Sequence, residues 1–261
     1  MMDRCNVCGG SLRSIAAYAA LPRVSSDCKP VAPGGSVAAC SACGGIQKPV
    51  TSAFLADIGV IYAKYDVYYQ GGGMEQIVFD SRKGAPSRRS ELLSDRLLST
   101  DLLPAKGSVV DLGCGNGAFL ASLAARLPGW SLAGLELDRK HEATLARIPR
   151  FERLIVGEPE ALSGSFDLIS MIHALEHFTD PLRTLTAIRA RLTPQGLLFI
   201  EIPNVEQNPF DLLIADHVSH MTPWTLETLL ARAGFEVVHL ATDWVGKELS
   251  VLARPAPSPP A

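Results

Sequence analysis

Three groups of residues in this 261-residue chain have the types and spacing to do chemistry. The first is Val109-Val110-Asp111-Leu112-Gly113-Cys114-Gly115-Asn116-Gly117, an apolar run that passes through alternating glycines into the helical stretch Ala118–Leu127. Glycine is required where the backbone must turn tightly and admit a ligand with no Cβ in the way. The spacing is G-x-G-x-G, not the G-x-G-x-x-G of a dinucleotide site. A glycine turn by itself is also found in dinucleotide enzymes and in inert domains of the same fold. The next apolar run, Leu132-Ala133-Gly134-Leu135-Glu136, ends in an acid. A carboxylate there accepts hydrogen bonds from both hydroxyls of a ribose.

The second group is a pair of matching hexapeptides, Cys5-Asn6-Val7-Cys8-Gly9-Gly10 and Cys40-Ser41-Ala42-Cys43-Gly44-Gly45. Each places two thiolates on a tight turn, and the glycine that follows relieves the backbone. Cys5, Cys8, Cys40 and Cys43 together make a closed tetrahedral zinc site, which has no open position and is therefore structural. Such an ion would hold together a segment too small to fold on its own core. Cys28 and Cys114 lie outside this pattern.

The third group is a set of histidines. His173, Glu176 and His177 stand at i, i+3 and i+4 just after an apolar run, and His217 and His220 follow a later one. Three readings are open: helix capping, packing or contact with a cofactor; a general base that takes a proton from an alcohol; or a divalent-ion site.

The elements that must position these groups follow from periodicity. From Ser108 to Arg254, short apolar runs alternate with helical stretches, which predicts βαβ units and a parallel sheet. Strands are expected at about 108–112, 131–136, 152–156, 166–171, 196–202, 235–241 and 248–253. Helices are expected after Asp180-Pro181 and after Thr222-Pro223, the second stopping at Gly234. The last two strands have no crossover helix between them and should pair antiparallel at one sheet edge. The chain therefore divides into a zinc ribbon (1–50), a helical, tyrosine-rich connector and lid (51–107), the large domain (108–254) and a disordered tail (255–261). The fold class is α/β: a doubly wound, mostly parallel seven-stranded Rossmann-like sheet with an antiparallel edge strand, plus the small zinc ribbon.

A net charge of −3 and a pI near 6.1 speak against a general nucleic-acid or anionic-membrane binder. No apolar run reaches membrane-helix length and the first residues lack a signal-peptide core, so a cytoplasmic location with reduced cysteines is expected.

The glycine loop, Glu136, Phe166-Asp167-Leu168-Ile169, Leu175-Glu176-His177 and Gly196–Asn204 together resemble the class I S-adenosylmethionine-dependent methyltransferases. The resemblance implies that S-adenosylmethionine contacts Asp111, Gly113, Cys114, Gly115, Asn116, Gly117, Glu136, Leu137, Glu158 and Met171. Asp111 would face the amino end of its methionine moiety, Glu136 its ribose, and Glu158 its adenine. His177, His173 and Glu176 become the candidate catalytic residues. Relatives that methylate catechol-like quinone precursors hold a divalent ion with E-x-x-E-H, where this chain has His173 in the first position.

The cysteine unit followed by Ile46-Gln47 and Tyr65-Asp66-Val67-Tyr68-Tyr69 is similar to zinc-ribbon methyltransferases of deoxysugar and surface-polysaccharide pathways. Their longer members carry a C-terminal domain that has no counterpart in this sequence. The resemblance implies a sugar hydroxyl as acceptor, on a nucleotide sugar or a glycan end. A small phenolic natural product, RNA, or a non-catalytic cofactor-binding role remain as alternatives. Tyr68, Tyr69 and Gln76 are candidates for a lid.

Overall fold

A computed structural model describes residues 4–65 and 75–257 of the chain. Its centre is a seven-stranded sheet of β1 (Gly107–Leu112), β2 (Trp130–Glu136), β3 (Phe151–Val156), β4 (Phe166–Ile172), β5 (Leu192–Pro203), β6 (Phe235–Ala241) and β7 (Glu248–Pro255). The spatial order is β3-β2-β1-β4-β5-β7-β6. β1 to β5 are parallel, and β7 runs antiparallel to both β5 and β6. The short return from β6 places β7 beside β5, one position in from the edge.

The strands lie where the apolar runs place them, except that β5 starts at Leu192, before Gly196. Leu192 pairs with Phe166 ahead of a bulge, and a Cβ at Gly196 would meet the Phe166 carbonyl at 2.9 Å. The tail, expected to leave the fold at Pro255, stays in it through Ala256. Its N–H donates to the Gly234 carbonyl at 2.8 Å and its own carbonyl accepts from Arg189.

The α-helices of the described residues are α1 (Ser52–Tyr62), α2 (Arg89–Leu98), α3 (Ala118–Arg126), α4 (Glu142–Leu145), α5 (Pro181–Arg189) and α6 (Pro223–Arg232). Leu92, Leu93 and Leu97 of α2 and Phe119, Leu120 and Leu123 of α3 cover one face of the sheet, over Val109, Leu168 and Phe199. Leu185 and Ile188 of α5 and Leu226, Leu229 and Leu230 of α6 cover the other, over Val110, Ile169 and Ile200. This two-sided burial explains why the parallel strands are apolar throughout rather than alternating. Asp180 caps α5 by accepting from the Arg183 N–H at 3.0 Å. Thr222 and Thr225 cap α6 reciprocally at 3.2 and 2.8 Å, an arrangement that contributes about 1 kcal/mol.

The cysteine segment is not a separate bead. Its strands Leu12–Ser14, Ala38–Cys40 and Ile46–Gln47 form a four-stranded sheet completed by Ser219–His220 from the large domain. Cys5, Val7 and Cys40 belong to the same core as α5 and α6. The connector holds α1, a hairpin of Ile77–Asp80 with Ala85–Arg88, and α2. The hairpin was not legible as strands, and its buried Asp80 is held by Arg96 of α2 at 2.6 Å. Tyr68 and Tyr69, two of the expected lid residues, fall outside the described residues.

Candidate active site

The glycine loop leaves β1 and enters α3 with Gly113, Gly115 and Gly117 all at positive φ (72°, 53° and 82°). A Cβ at Gly117 would also sit 2.6 Å from Leu145 and 2.5 Å from Ile148, so α4 closes under the loop only because no side chain is there. The loop is pinned to β2 by Gly113 N–H on the Leu135 carbonyl at 2.9 Å and Gly115 N–H on Glu136 Oε1 at 2.5 Å. Glu136 thus stands at the mouth of the loop, beside Leu137, which is 60% exposed and offers an apolar surface there. Asp111 lies beneath the loop, almost fully buried, and accepts from Ser170 Oγ at 2.7 Å. Burial raises its pKa to about 7, against the Ser170 hydrogen bond and with a further push from Glu136.

These residues fit a nucleoside cofactor: a backbone cradle without side chains, a carboxylate at ribose position and an exposed apolar neighbour. Cys114 contributes main chain only, because its thiol is buried against Gly134, where a Cβ would meet Sγ at 2.5 Å. Asn116 Oδ1 accepts from the Ala118 N–H at 3.1 Å at the start of α3. Glu158 is exposed after β3, at the start of the turn Pro159–Ala161. Met171 has 0% exposure and lies within the core, so its side chain does not reach the cofactor face, contrary to the expectation. The contact surface at the end of β4 begins at Ile172 and His173.

The histidine turn follows β4 at the same sheet edge. His173 adopts a left-handed backbone (φ 49°) and its N–H donates to the Glu201 carbonyl of β5 at 2.8 Å. Its ring meets Glu176 Oε1 at 3.2 Å, Glu248 Oε1 at 3.7 Å and the guanidinium of Arg89. Arg89 also bonds Glu201 at 2.8 Å and the Gln76 carbonyl oxygen at 2.5 Å, which anchors the only lid candidate that is described. Burial opposes a charge on His173, but Glu248 and Glu176 outweigh it and raise its pKa to about 9. Burial likewise works against the Glu176 carboxylate, yet His173 holds its pKa below the usual range. His173 and Glu176 thus stand in one ion-pair network with Arg89, Glu201 and Glu248.

His177 is different. Its Nδ1 lies 3.1 Å from Tyr62 Oη of α1 and 3.5 Å from Asp216 Oδ2, and its ring packs edge-to-face on His217 at 4.7 Å. Burial, with His217 beside it, pushes its pKa below the ordinary histidine value. Its side chain keeps 18% exposure, whereas that of His217 keeps 4%. Glu176, His177 and His217 bring ligand-type atoms within 4.8 Å of one another, the grouping a divalent ion would need; His173 belongs to a second such grouping, with Glu201 and Glu248.

His217 and His220 share one carboxylate that the sequence did not single out: Asp211 takes His217 Nδ1 at 2.7 Å and His220 Nδ1 at 2.5 Å. Behind them Lys48, buried by its position after the last cysteine turn, donates to the carbonyls of Ile214 (2.7 Å) and His217 (2.9 Å) and contacts His220 Nε2 at 2.8 Å. A lone lysine after Gln47 carries no pattern that could have revealed this role.

The four cysteine sulfurs converge, with Cys5–Cys43 at 3.6 Å, Cys8–Cys40 at 3.4 Å and all four within 4.8 Å. Thiolates about 2.3 Å from one tetrahedral ion are about 3.8 Å apart, so the cluster has the right size. The N–H groups of Gly10, Ala42 and Gly45 point at sulfur at 3.3 to 3.4 Å, as knuckles that stabilise thiolate charge.

The profile of the methyltransferase-domain family matches residues 86–240, which spans the loop, Glu136 and the histidine turn. The chain is 36% identical over 116 residues to the trans-aconitate 2-methyltransferase of Deinococcus radiodurans, covering 43% of this chain and 40% of that one. It is 32% identical over 161 residues to the C-methyltransferase NovU of Streptomyces niveus, covering 57% and 37%. With the ubiquinone biosynthesis O-methyltransferase of Actinobacillus pleuropneumoniae it shares 32% over 127 residues, 44% and 54% of the two chains. The chain thus spans about half or less of the relatives it matches. Among solved structures, CalO1, a methyltransferase in calicheamicin biosynthesis in its SAH-bound form, superposes with TM-score 0.54 at 20% identity, covering 80% and 61%. An S-adenosylmethionine-dependent methyltransferase from Clostridium acetobutylicum superposes with TM-score 0.54 at 12% identity, covering 78% and 99%. Those two likenesses concern the fold, and the family match carries the assignment: the chain belongs to the class I S-adenosylmethionine-dependent methyltransferases.

Proposed function

We propose that this methyltransferase acts on a hydroxyl of a sugar, borne on a nucleotide sugar or at a glycan end, with His177 as the base. The observation that carries the reading is His177 itself: a partly exposed imidazole of lowered pKa, with Nδ1 turned to Asp216 and Tyr62. The bound cofactor supplies a methyl group on a sulfonium centre. The rest belongs to the chain. The loop and Glu136 fix the nucleoside, and Tyr62 and His177, backed by the buried Asp216, hold the acceptor in line with the methyl. The role of His177 Nε2 is to take the proton that the acceptor hydroxyl gives up.

The sugar class rests on the cysteine unit joined to this domain, the combination that resembles deoxysugar and polysaccharide methyltransferases. The partly exposed polar groups gathered here, Ser26, Tyr62 and His177, are consistent with a polyhydroxylated acceptor. Relatives as different as a trans-aconitate methyltransferase, a ubiquinone-pathway O-methyltransferase and a C-methyltransferase imply that the domain alone does not select an acceptor. The cysteine cluster is proposed to hold one structural zinc. The acceptor class is tested by incubating the protein with isotope-labelled methyl donor and separate pools of nucleotide sugars, phenols and RNA. Label in the sugar pool supports the reading, and label confined to phenols or RNA overturns it.

A further inference from the structure

The segment 214–220, which joins β5 to α6 and carries Asp216 and His217, is gripped along its length by the first fifty residues. Ala215 N–H donates to the Val24 carbonyl at 2.7 Å, and Lys48 N–H to the Val218 carbonyl at 2.8 Å. Ser219 and His220 pair with Gln47 and Ile46 as strand partners. Lys48 Nζ closes on the Ile214 and His217 carbonyls. From the opposite side, Val218 N–H donates to the Glu176 carbonyl at 2.7 Å, so the segment is clamped between the cysteine module and the histidine turn.

The module also reaches Asp216 directly. Its side chain is 0% exposed, and a buried carboxylate costs several kcal/mol unless it is bonded. Ser26 supplies those bonds twice, with its N–H on Oδ1 at 2.8 Å and its hydroxyl on Oδ2 at 2.5 Å. With that proton on Asp216, Tyr65 Oη at 3.1 Å is placed to donate to Ser26 Oγ in turn. Oδ2 is the same oxygen that faces His177 Nδ1.

That oxygen lies 3.5 Å from Nδ1, beside the hydrogen bond that Nδ1 makes with Tyr62, and its charge biases which ring nitrogen of His177 carries hydrogen. Tyr62 Oη can serve either form, since a phenol both donates and accepts. A carboxylate only accepts, so it favours the form with hydrogen on Nδ1 and leaves the lone pair on Nε2. An Asp216 free to swing away would remove that preference.

We propose that Ser26 of the cysteine module is a positioning residue, which by fixing Asp216 sets the tautomer of His177. The module is then part of the active site and not only an appendage that folds around an ion. The inference deepens the reading of His177 as base, and its first test does not depend on that reading. Nitrogen-15 labelling of histidine in the full-length protein, with S-adenosylhomocysteine bound, reads the His177 tautomer directly. The wild type should show hydrogen on Nδ1. Ser26→Ala should give a mixture of both tautomers, Asp216→Asn a larger shift toward Nε2, and Ser26→Thr the wild-type pattern. Unchanged affinity for S-adenosylhomocysteine and unchanged metal content verify that each variant is folded. An Nε2–H tautomer in the wild type, or a Ser26→Ala spectrum identical to it, overturns the proposal. With a nucleotide sugar that accepts label, Ser26→Ala should lower kcat about tenfold and leave KM for the donor unchanged. By contrast, His177→Gln at full turnover overturns the base assignment while leaving the tautomer result standing.

Discussion

The Gly115 N–H donates to Glu136 Oε1 at 2.5 Å, which ties the loop after β1 to the end of β2 across the sheet. The carboxylate that braces the glycine loop is also the one proposed to hold the nucleoside, with its remaining lone pairs. Glu136→Gln keeps an oxygen for Gly115 but exchanges the other acceptor for a donor. It should weaken S-adenosylhomocysteine binding about tenfold, and Glu136→Ala about a hundredfold, by calorimetry. Equal affinity in all three would remove Glu136 from the site.

Gly117→Ala should be more damaging than its size suggests. The new methyl would require a left-handed backbone and would meet Leu145 and Ile148 at 2.6 and 2.5 Å. A loss of about 2 kcal/mol or more in denaturant unfolding is expected, together with loss of cofactor binding.

Most of this scaffold is written in the chain, because parallel strands buried on both faces need unbroken apolar runs. Val109-Val110 and Leu168-Ile169 announce β1 and β4, and Asp180-Pro181 and Thr222-Pro223 announce the helices. The glycine loop and Glu136 are legible for the same local reason. What escaped is non-local. Ser26, Lys48, Arg89 and Asp216 act on partners far along the chain, and no spacing marks them; Asp211 is near its two histidines in sequence but sits in no pattern that pairs it with them. Met171 was misplaced because β4 is buried on both faces as far as Met171, and exposure begins only at Ile172 and His173. The hairpin before α2 was missed because Ala85-Pro86-Ser87-Arg88 lacks β-forming residues and is held by its pairing.

His173 predicts a stability profile. Its pKa is raised to about 9 in the folded chain against about 6.5 unfolded. The folded protein therefore holds a proton that the unfolded chain has lost between those values. Stability from this group is complete below about pH 6.5 and disappears as pH rises through 9. Thermal unfolding of His173→Gln should lack that decline, and identical pH dependence in both proteins would contradict the ion-pair assignment.

His177 should set the acid limb of catalysis. Its folded pKa lies below the ordinary histidine value, so the neutral base persists to lower pH. The fall in kcat/KM should begin below about pH 6.5 and vanish as a distinct limb in His177→Gln. A limb centred well above 6.5 would point to another base.

The purified protein should contain one zinc, and Cys8→Ser should lose both the metal and cooperative unfolding of the module with its partner strand Ser219–His220. Removing weakly bound divalent ions with a mild chelator that spares this zinc should leave turnover unchanged. Loss of turnover under that treatment would favour an ion at Glu176, His177 and His217.

The most direct measurement is transfer of labelled methyl to a panel of nucleotide sugars by the wild type and by His177→Gln, with S-adenosylhomocysteine binding verified in both. The wild type should label a sugar hydroxyl, and the variant should do so about a hundredfold or more slowly with cofactor affinity intact. Absence of label in every sugar, or an undiminished rate in the variant, would contradict the account.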